Sequence, residues 1–456
     1  MIMQDLVDRF EQRKPACVMA RALLENVLSP ERLDGIFTRY DHAQTGQLMF
    51  SSLVEIMGLV ATRIKPSVHA AYQDQIEEVG VTVKAVYDKL QRVKPCVSQA
   101  LVRQTAARMV KIVDAMKNDS PELLPGYRVK ILDGNHLRRT ERRLGVLREL
   151  NVAPLPGHAL VVLDPRRKLL IDVFPCEDAH AQERTLLAEV LETVEPADVW
   201  IADRNFCTTC FLLGLHGRRA FFVIRRHLGS LRGELIGNRT AVGTGPTGKI
   251  YEQRMRVVDN KGMATNIRCI SIALDEPTRD GDTEMEILTN LPSKVTALKI
   301  AELYRKRWSI ETAFQEVAAN LNGELVTLGY PKAALFAFCS ALVAYNVLSV
   351  LRAAMESIYG HETVEQSIST YYLALEVSGA YEGMMVAIGE KYWTKTYRDL
   401  TPSEMARELV RIAGNMNPAR YRKHKRSTKP NRAKLKKKGR QHKSTARLLN
   451  SAKQTK

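Results

Sequence analysis

Two acidic residues stand where apolar runs end. Asp133 closes "YRVKILD" and Asp203 closes "DVWIAD", while a third acid, Glu311, lies four residues after Arg307 in "AELYRKRWSIETAFQEVAAN". In α/β sheets, ligands and catalysts gather at the carboxyl ends of strands. If these two strands are neighbours and the Glu311 segment packs over them, three carboxylates meet in one crevice. Such a group repels itself unless a cation holds it together. A few hard oxygen donors suit magnesium or manganese, which keep several waters and accept further oxygens from a phosphate. Two such ions, roughly 3.5–4 Å apart, can activate a water or a 3′-hydroxyl and stabilise the leaving oxygen of a phosphodiester. The chemistry is then in-line phosphoryl transfer, in which positioning and charge neutralisation do most of the catalysis.

Each acid also has a plain reading. "DG" after a strand is a common turn, Asp203 can cap a following helix, and Glu311 can pair with Arg307 along one helix. The surroundings favour phosphate. Arg138, Arg139, Arg142 and Arg143 follow Asp133, Arg166, Arg167 and Lys168 occupy a turn, and Arg225 and Arg226 follow another strand. Residues 301–320 read as one helix with Leu303, Ile310, Phe314, Val317 and Leu321 on a core-facing stripe. Tyr304, Arg307, Trp308, Glu311, Gln315 and Ala318 share the adjoining face. Arg307 can fork onto a phosphate, and the two aromatics offer surfaces for an unstacked base.

The elements that must position these residues begin at about Tyr127. "YRVKILD" is a strand, "HALVVLD" and "KLLIDVF" form a hairpin through "DPRRK", and "AQERTLLAEVLETV" is a helix. "DVWIAD", the helix "CFLLGLHG" and the strand "AFFVIRR" follow. This order indicates an α/β fold, a mixed sheet flanked by helices. The division expected is a helical segment 1–125, a sheet domain 126–227, a Gly- and Thr-rich β insertion 228–292, and the domain's return at 293–360. A helical region 361–417 and a basic tail 418–456 complete it.

Net charge is +18, but sixteen of the 68 Lys and Arg residues lie between Pro418 and Lys456, where there is no acid. The other 52 nearly balance the 50 acidic residues. Such a tail lacks apolar periodicity, should be disordered in isolation, and suits a polyanion. The seven cysteines, odd in number and scattered, fit a reducing compartment rather than a disulfide framework. Cys207 and Cys210 have zinc-knuckle or redox spacing but no second pair, so two small helix residues are the simpler reading. "DHAQTGQLMFSS" lacks the oxygen ligands of a calcium loop at Ala43 and Ser52. Residues 333–351 carry no charge over nineteen positions, yet Ser340, Tyr345, Asn346 and Ser349 interrupt them, which indicates a buried core helix and no membrane partner.

Taken together, these motifs resemble the DDE transposases of bacterial insertion sequences, in the subgroup with a Y-x2-R-x3-E-x6-K signature. "YRKRWSIE" supplies Tyr304, Arg307 and Glu311 at the right intervals, "ILDGN" is similar to the first Asp motif and "IADRNF" to the second. The resemblance spans roughly residues 125–355. It implies a ribonuclease-H-like catalytic domain interrupted by a β insertion, and magnesium- or manganese-dependent cleavage and strand transfer with two ions. It further implies double-stranded DNA partners, namely terminal inverted repeats and target, and a homodimer that pairs the two ends. The protein would be cytoplasmic and lie with the nucleoid when bound. Carried over by position, Asp133, Asp203 and Glu311 become catalytic metal ligands. Tyr304 and Arg307 become DNA contacts, with Trp308, Arg138 and Arg139 beside them. One position departs: the expected Lys is Ala318, so either Arg307, Lys306 or the Arg138 cluster substitutes, or the handling of the DNA end differs. Two other functions stay open, a nuclease of the same fold that only hydrolyses, and a catalytically silent, transposase-derived DNA-binding regulator.

Overall fold

The structure, a computed structural model, describes every residue except 1, 42–46, 118–119, 138–139, 141–143, 151, 228, 230, 232, 260–261, 279–280, 425–441 and 455–456. Its strands are β1 (Arg128–Leu137), β2 (Ala153–Leu155), β3 (Gly157–Asp164), β4 (Leu169–Cys176), β5 (Asp198–Ala202) and β6 (Phe221–Arg225). They continue with β7 (Gly233–Gly245), β8 (Gly248–Val258), β9 (Ala264–Leu274), β10 (Glu284–Thr289) and β11 (His442–Ser444).

Nine of these strands make one sheet in the order β4-β3-β1-β5-β6-β10-β9-β8-β7. β1, β5 and β6 run parallel, and every other neighbour is antiparallel. β3 and β5 are buried along their whole length, as near-continuous apolar runs are when helices cover both faces. On one face Ile131, Val161, Val199 and Ile201 join a core with the helices Pro95–Ala115 and Pro331–Tyr359. On the other, Leu132, Leu160, Trp200 and Phe222 pack with Val190, Phe211 and Leu212 from the helices Leu187–Glu192 and Thr209–Gly217.

The segment 228–292 does not form a separate β unit. β10 pairs with β6, so the insertion extends the sheet itself and ends on β7, whose residues are largely exposed. β1 also runs further than "YRVKILD" suggests, to Leu137, because the antiparallel ladder with β3 continues beyond Asp133 as far as Leu137↔Gly157. The helical segments share one core with the sheet rather than standing apart: it takes in Val18 and Leu23 near the N-terminus and Met405 and Leu409 near the C-terminus.

The 29-residue helix Pro331–Tyr359 is, among the described residues, the one long and apolar enough to cross a bilayer, and its apolar window is entirely buried. Its polar interruption has a specific partner. Asn346 accepts from the Leu170 backbone N–H at 2.7 Å and donates to the Leu170 carbonyl at 2.8 Å, which satisfies two groups on the edge strand β4.

The basic tail departs from the disordered expectation where it is described. β11 pairs in parallel with β2, and a helix spans Thr445–Gln454. Ser444 and Thr445 are buried, and Arg447 meets Asp178 at 2.6 Å. These partners lie more than 260 positions away in sequence, out of reach of any composition argument. The most basic stretch, 425–441, lies outside the described residues.

Candidate active site

Register brings the two aspartates together. Ile131 of β1 pairs with Ile201 of the parallel β5, and Asp133 and Asp203 each stand two residues further along. Side chains two apart share a face, so both carboxylates join the face of Ile131 and Ile201, where the helix Trp308–Asn320 packs on β1. Asp203 sits just past its strand and accepts from the Asn205 backbone N–H at 2.7 Å, which caps the 3₁₀ turn Arg204–Phe206. The capping reading of Asp203 therefore holds while its charge still acts on Asp133.

The expected single helix 301–320 is two, Ala297–Arg305 and Trp308–Asn320. Between them the backbone tightens: Lys306, Arg307 and Ser309 donate to the carbonyls three residues back. Such a turn advances about 120° per residue rather than 100°, so the two halves no longer share one helical face. Tyr304 falls on the buried side, 6% exposed, while Trp308 is 59% exposed. Tyr304 is thus not the stacking surface that a continuous helix implied. Burial is the main reason its hydroxyl is pushed up to about 12; Arg307 opposes this and Asp203 adds to it.

Arg307 occupies the centre. Its Nη1 lies 2.9 Å from Glu311 Oε1 and 3.4 Å from Asp133 Oδ2. Its guanidinium lies over the Trp308 ring, 4.5 Å from the centroid. The side chain is buried, and its Nε has no hydrogen-bond partner. Asp133 is pushed up to about 7, chiefly by burial, with Asp203 and Glu311 adding to the shift. Arg307 and the Gly134 N–H, which donates to Asp133 Oδ1 at 2.9 Å, pull the other way. Arg307 thus offsets only part of the cost of burying the Asp133 charge.

The residues fit a hard divalent cation in kind: the donors are all carboxylate oxygens, and among the described residues Arg307 is the cation paired with Asp133 and Glu311. They are not drawn in around one point. Among the described residues no three His, Cys, Asp or Glu side chains are grouped as ready ligands, and Arg307 Nη1 bridges Asp133 and Glu311. Cys207 is buried and Cys210 exposed, and both are free thiols.

The other expected contacts divide. Lys306 is exposed, whereas Arg138, Arg139, Arg142 and Arg143 lie outside the described residues. At exposed Ala318 the structure brings in a base that the sequence did not suggest. Arg63 Nη2 donates to the Ala318 and Leu321 carbonyls at 3.3 and 3.0 Å, and its Nε donates to Asn322 Oδ1. In return Asn322 donates to the Val60 and Ala61 carbonyls. Each helix end satisfies the other's free carbonyls, and nothing in the local sequence of either forecasts it. The sequence reading also missed Glu183 and Asn205, which lie beside Asp203. The glycine directly after Asp133 was the one available sign that something packs closely there.

Residues 126–347 match a family model described as a transposase DDE domain. The match runs from the start of the sheet, through the insertion and the Glu311 helix, into the long core helix. It supports a DDE transposase family and a transposase-type function in general; that family generally uses divalent metals. No curated protein matches the chain.

Proposed function

We propose that the protein is a transposase that cleaves DNA at the ends of an insertion sequence and transfers the strands to a target. The observation that carries this reading is the meeting of Asp133 and Glu311 on Arg307, with Asp203 near enough to Asp133 to act on its charge, within the stretch that matches the transposase domain. The order β4-β3-β1-β5-β6, with β3 antiparallel to its neighbours, supports a ribonuclease-H-like sheet. Asp133, Asp203 and Glu311 would hold two magnesium or manganese ions. Bound there, the ions would lower the pKa of a water or 3′-hydroxyl and neutralise charge on the phosphodiester.

Arg307 has two duties in this reading. Without DNA it is the internal counter-cation of the acids. With DNA it turns to a phosphate, a geometry for which its fork is suited, and leaves the carboxylates free. Trp308, already exposed beside it, supplies a stacking surface at the DNA end. The basic segment around 425–441 adds affinity independent of sequence, and two copies pair the two ends.

The test uses an end-labelled duplex carrying the element's terminus, incubated with magnesium and target DNA. Cleaved ends joined to target are expected, with joining lost and DNA binding kept in Asp133→Ala. Cleavage without joining would make the protein a nuclease. Equal products from wild type and Asp133→Ala would overturn the assignment of the site.

A further inference from the structure

Glu183 belongs to neither acid motif, yet it touches the neighbourhood of both. It opens the 3₁₀ turn Glu183–Leu186 after β4, and its side chain is only 16% exposed. No Lys or Arg pairs with it among the described residues; His136 Nδ1 lies 3.8 Å from its Oε1. Its Oε2 accepts from Asn205 Nδ2 at 2.5 Å. The same Asn205 donates its backbone N–H to Asp203 Oδ1, and its carbonyl accepts from Arg184 Nε at 2.6 Å. Consecutive residues of one turn therefore grip the residue that fixes the Asp203 carboxylate.

The other end of the contact is at Gly134. A Cβ built there would lie 1.9 Å from Glu183 Oε1. Gly134 is in β1 with no left-handed backbone, so its lack of a side chain is needed for room and not for conformation. The Glu183 carboxylate is wedged between the residue after Asp133 and the residue two past Asp203.

We infer that Glu183 is a positioning residue that sets the Asp203 carboxylate against Asp133 through Asn205. It acts on metal affinity without being a ligand itself, as groups that orient metal ligands do. This rests on the proposed reading of Asp133 and Asp203 as the metal-holding pair.

The test is Mn²⁺ binding to the purified full-length protein without DNA, followed by the loss of the free-ion paramagnetic resonance signal. Glu183→Ala should weaken binding about tenfold or more. Gly134→Ala should do the same with Glu183 still present, because the new methyl displaces its carboxylate. Glu183→Gln, whose amide oxygen still accepts from Asn205, should stay close to wild type. In an Asn205→Ala background, Glu183→Ala should add nothing, since the path between them is already cut. Thermal melts identify any variant that fails to fold, and the Gly134 and Gln variants carry the test if Glu183→Ala does. Unchanged affinity in both Glu183→Ala and Gly134→Ala would overturn the inference. A Gln variant as weak as the Ala variant would overturn it too, because the charge and not the hydrogen bond would then matter. Binding that is absent in wild type, or equal in wild type and Asp203→Ala, would instead defeat the metal-site reading itself.

Discussion

Asp133→Asn tests the electrostatics of the site without any DNA. Burial and two neighbouring carboxylates carry Asp133 from the ordinary 3.8 to about 7. A carboxyl whose pKa is raised by folding costs nothing below its unfolded pKa. The cost accumulates as pH rises toward the folded value and is constant above it. At 1.36 kcal/mol for each tenfold change in proton affinity, the span from 3.8 to about 7 amounts to about 4 kcal/mol. Asparagine keeps the shape and removes the charge. In chelator the variant should therefore match wild type at pH 4 and gain stability between pH 4 and 7. Above pH 7 it should hold an advantage of up to about 4 kcal/mol, roughly 4 °C in Tm for a chain of this size. Thermal melts across pH 4–8.5 measure it. A variant less stable than wild type at pH 8, or a difference independent of pH, would show that Arg307 fully compensates the cluster and refute the reasoning.

Trp308 and Tyr304 should respond in opposite ways. Trp308→Ala, at an exposed ring, should leave Tm nearly unchanged and weaken end binding by about 1–3 kcal/mol in an anisotropy titration, the value of one stacked base. Tyr304→Ala, at a buried ring, should cost about 3–5 kcal/mol of stability through the cavity it leaves. The nine Lys and Arg residues between 425 and 440 should account for much of the salt sensitivity of DNA binding. Replacing them with Ser, rather than deleting 418–456 and the β11 pairing with it, should reduce the slope of log K against log salt by up to about 8. An unchanged slope would remove the tail from the interface.

The meeting of Asp133, Arg307 and Glu311 was foreshadowed in the sequence because its parts are short and locally encoded. Asp133 and Asp203 end or interrupt apolar strands, and the i to i+4 spacing of Arg307 and Glu311 fixes their contact within a turn of helix. The same locality misled at Tyr304. A uniform 100° period cannot show that the chain takes three tighter steps at residues 306–309, and those steps moved the ring from the open face into the core.

Residue types and strand patterning were enough for the α/β class, the acids and the basic character of the C-terminus. Folding in three dimensions settled the rest. It decided that the insertion lengthens the sheet, that the last strand returns to pair with β2, and that Arg63 covers the end of the Glu311 helix. It also wedged Glu183 between Gly134 and Asn205. Each of these is a pairing between groups far apart in sequence, and its energy comes from register, close approach and exclusion of water. None of those quantities is a property of either segment alone.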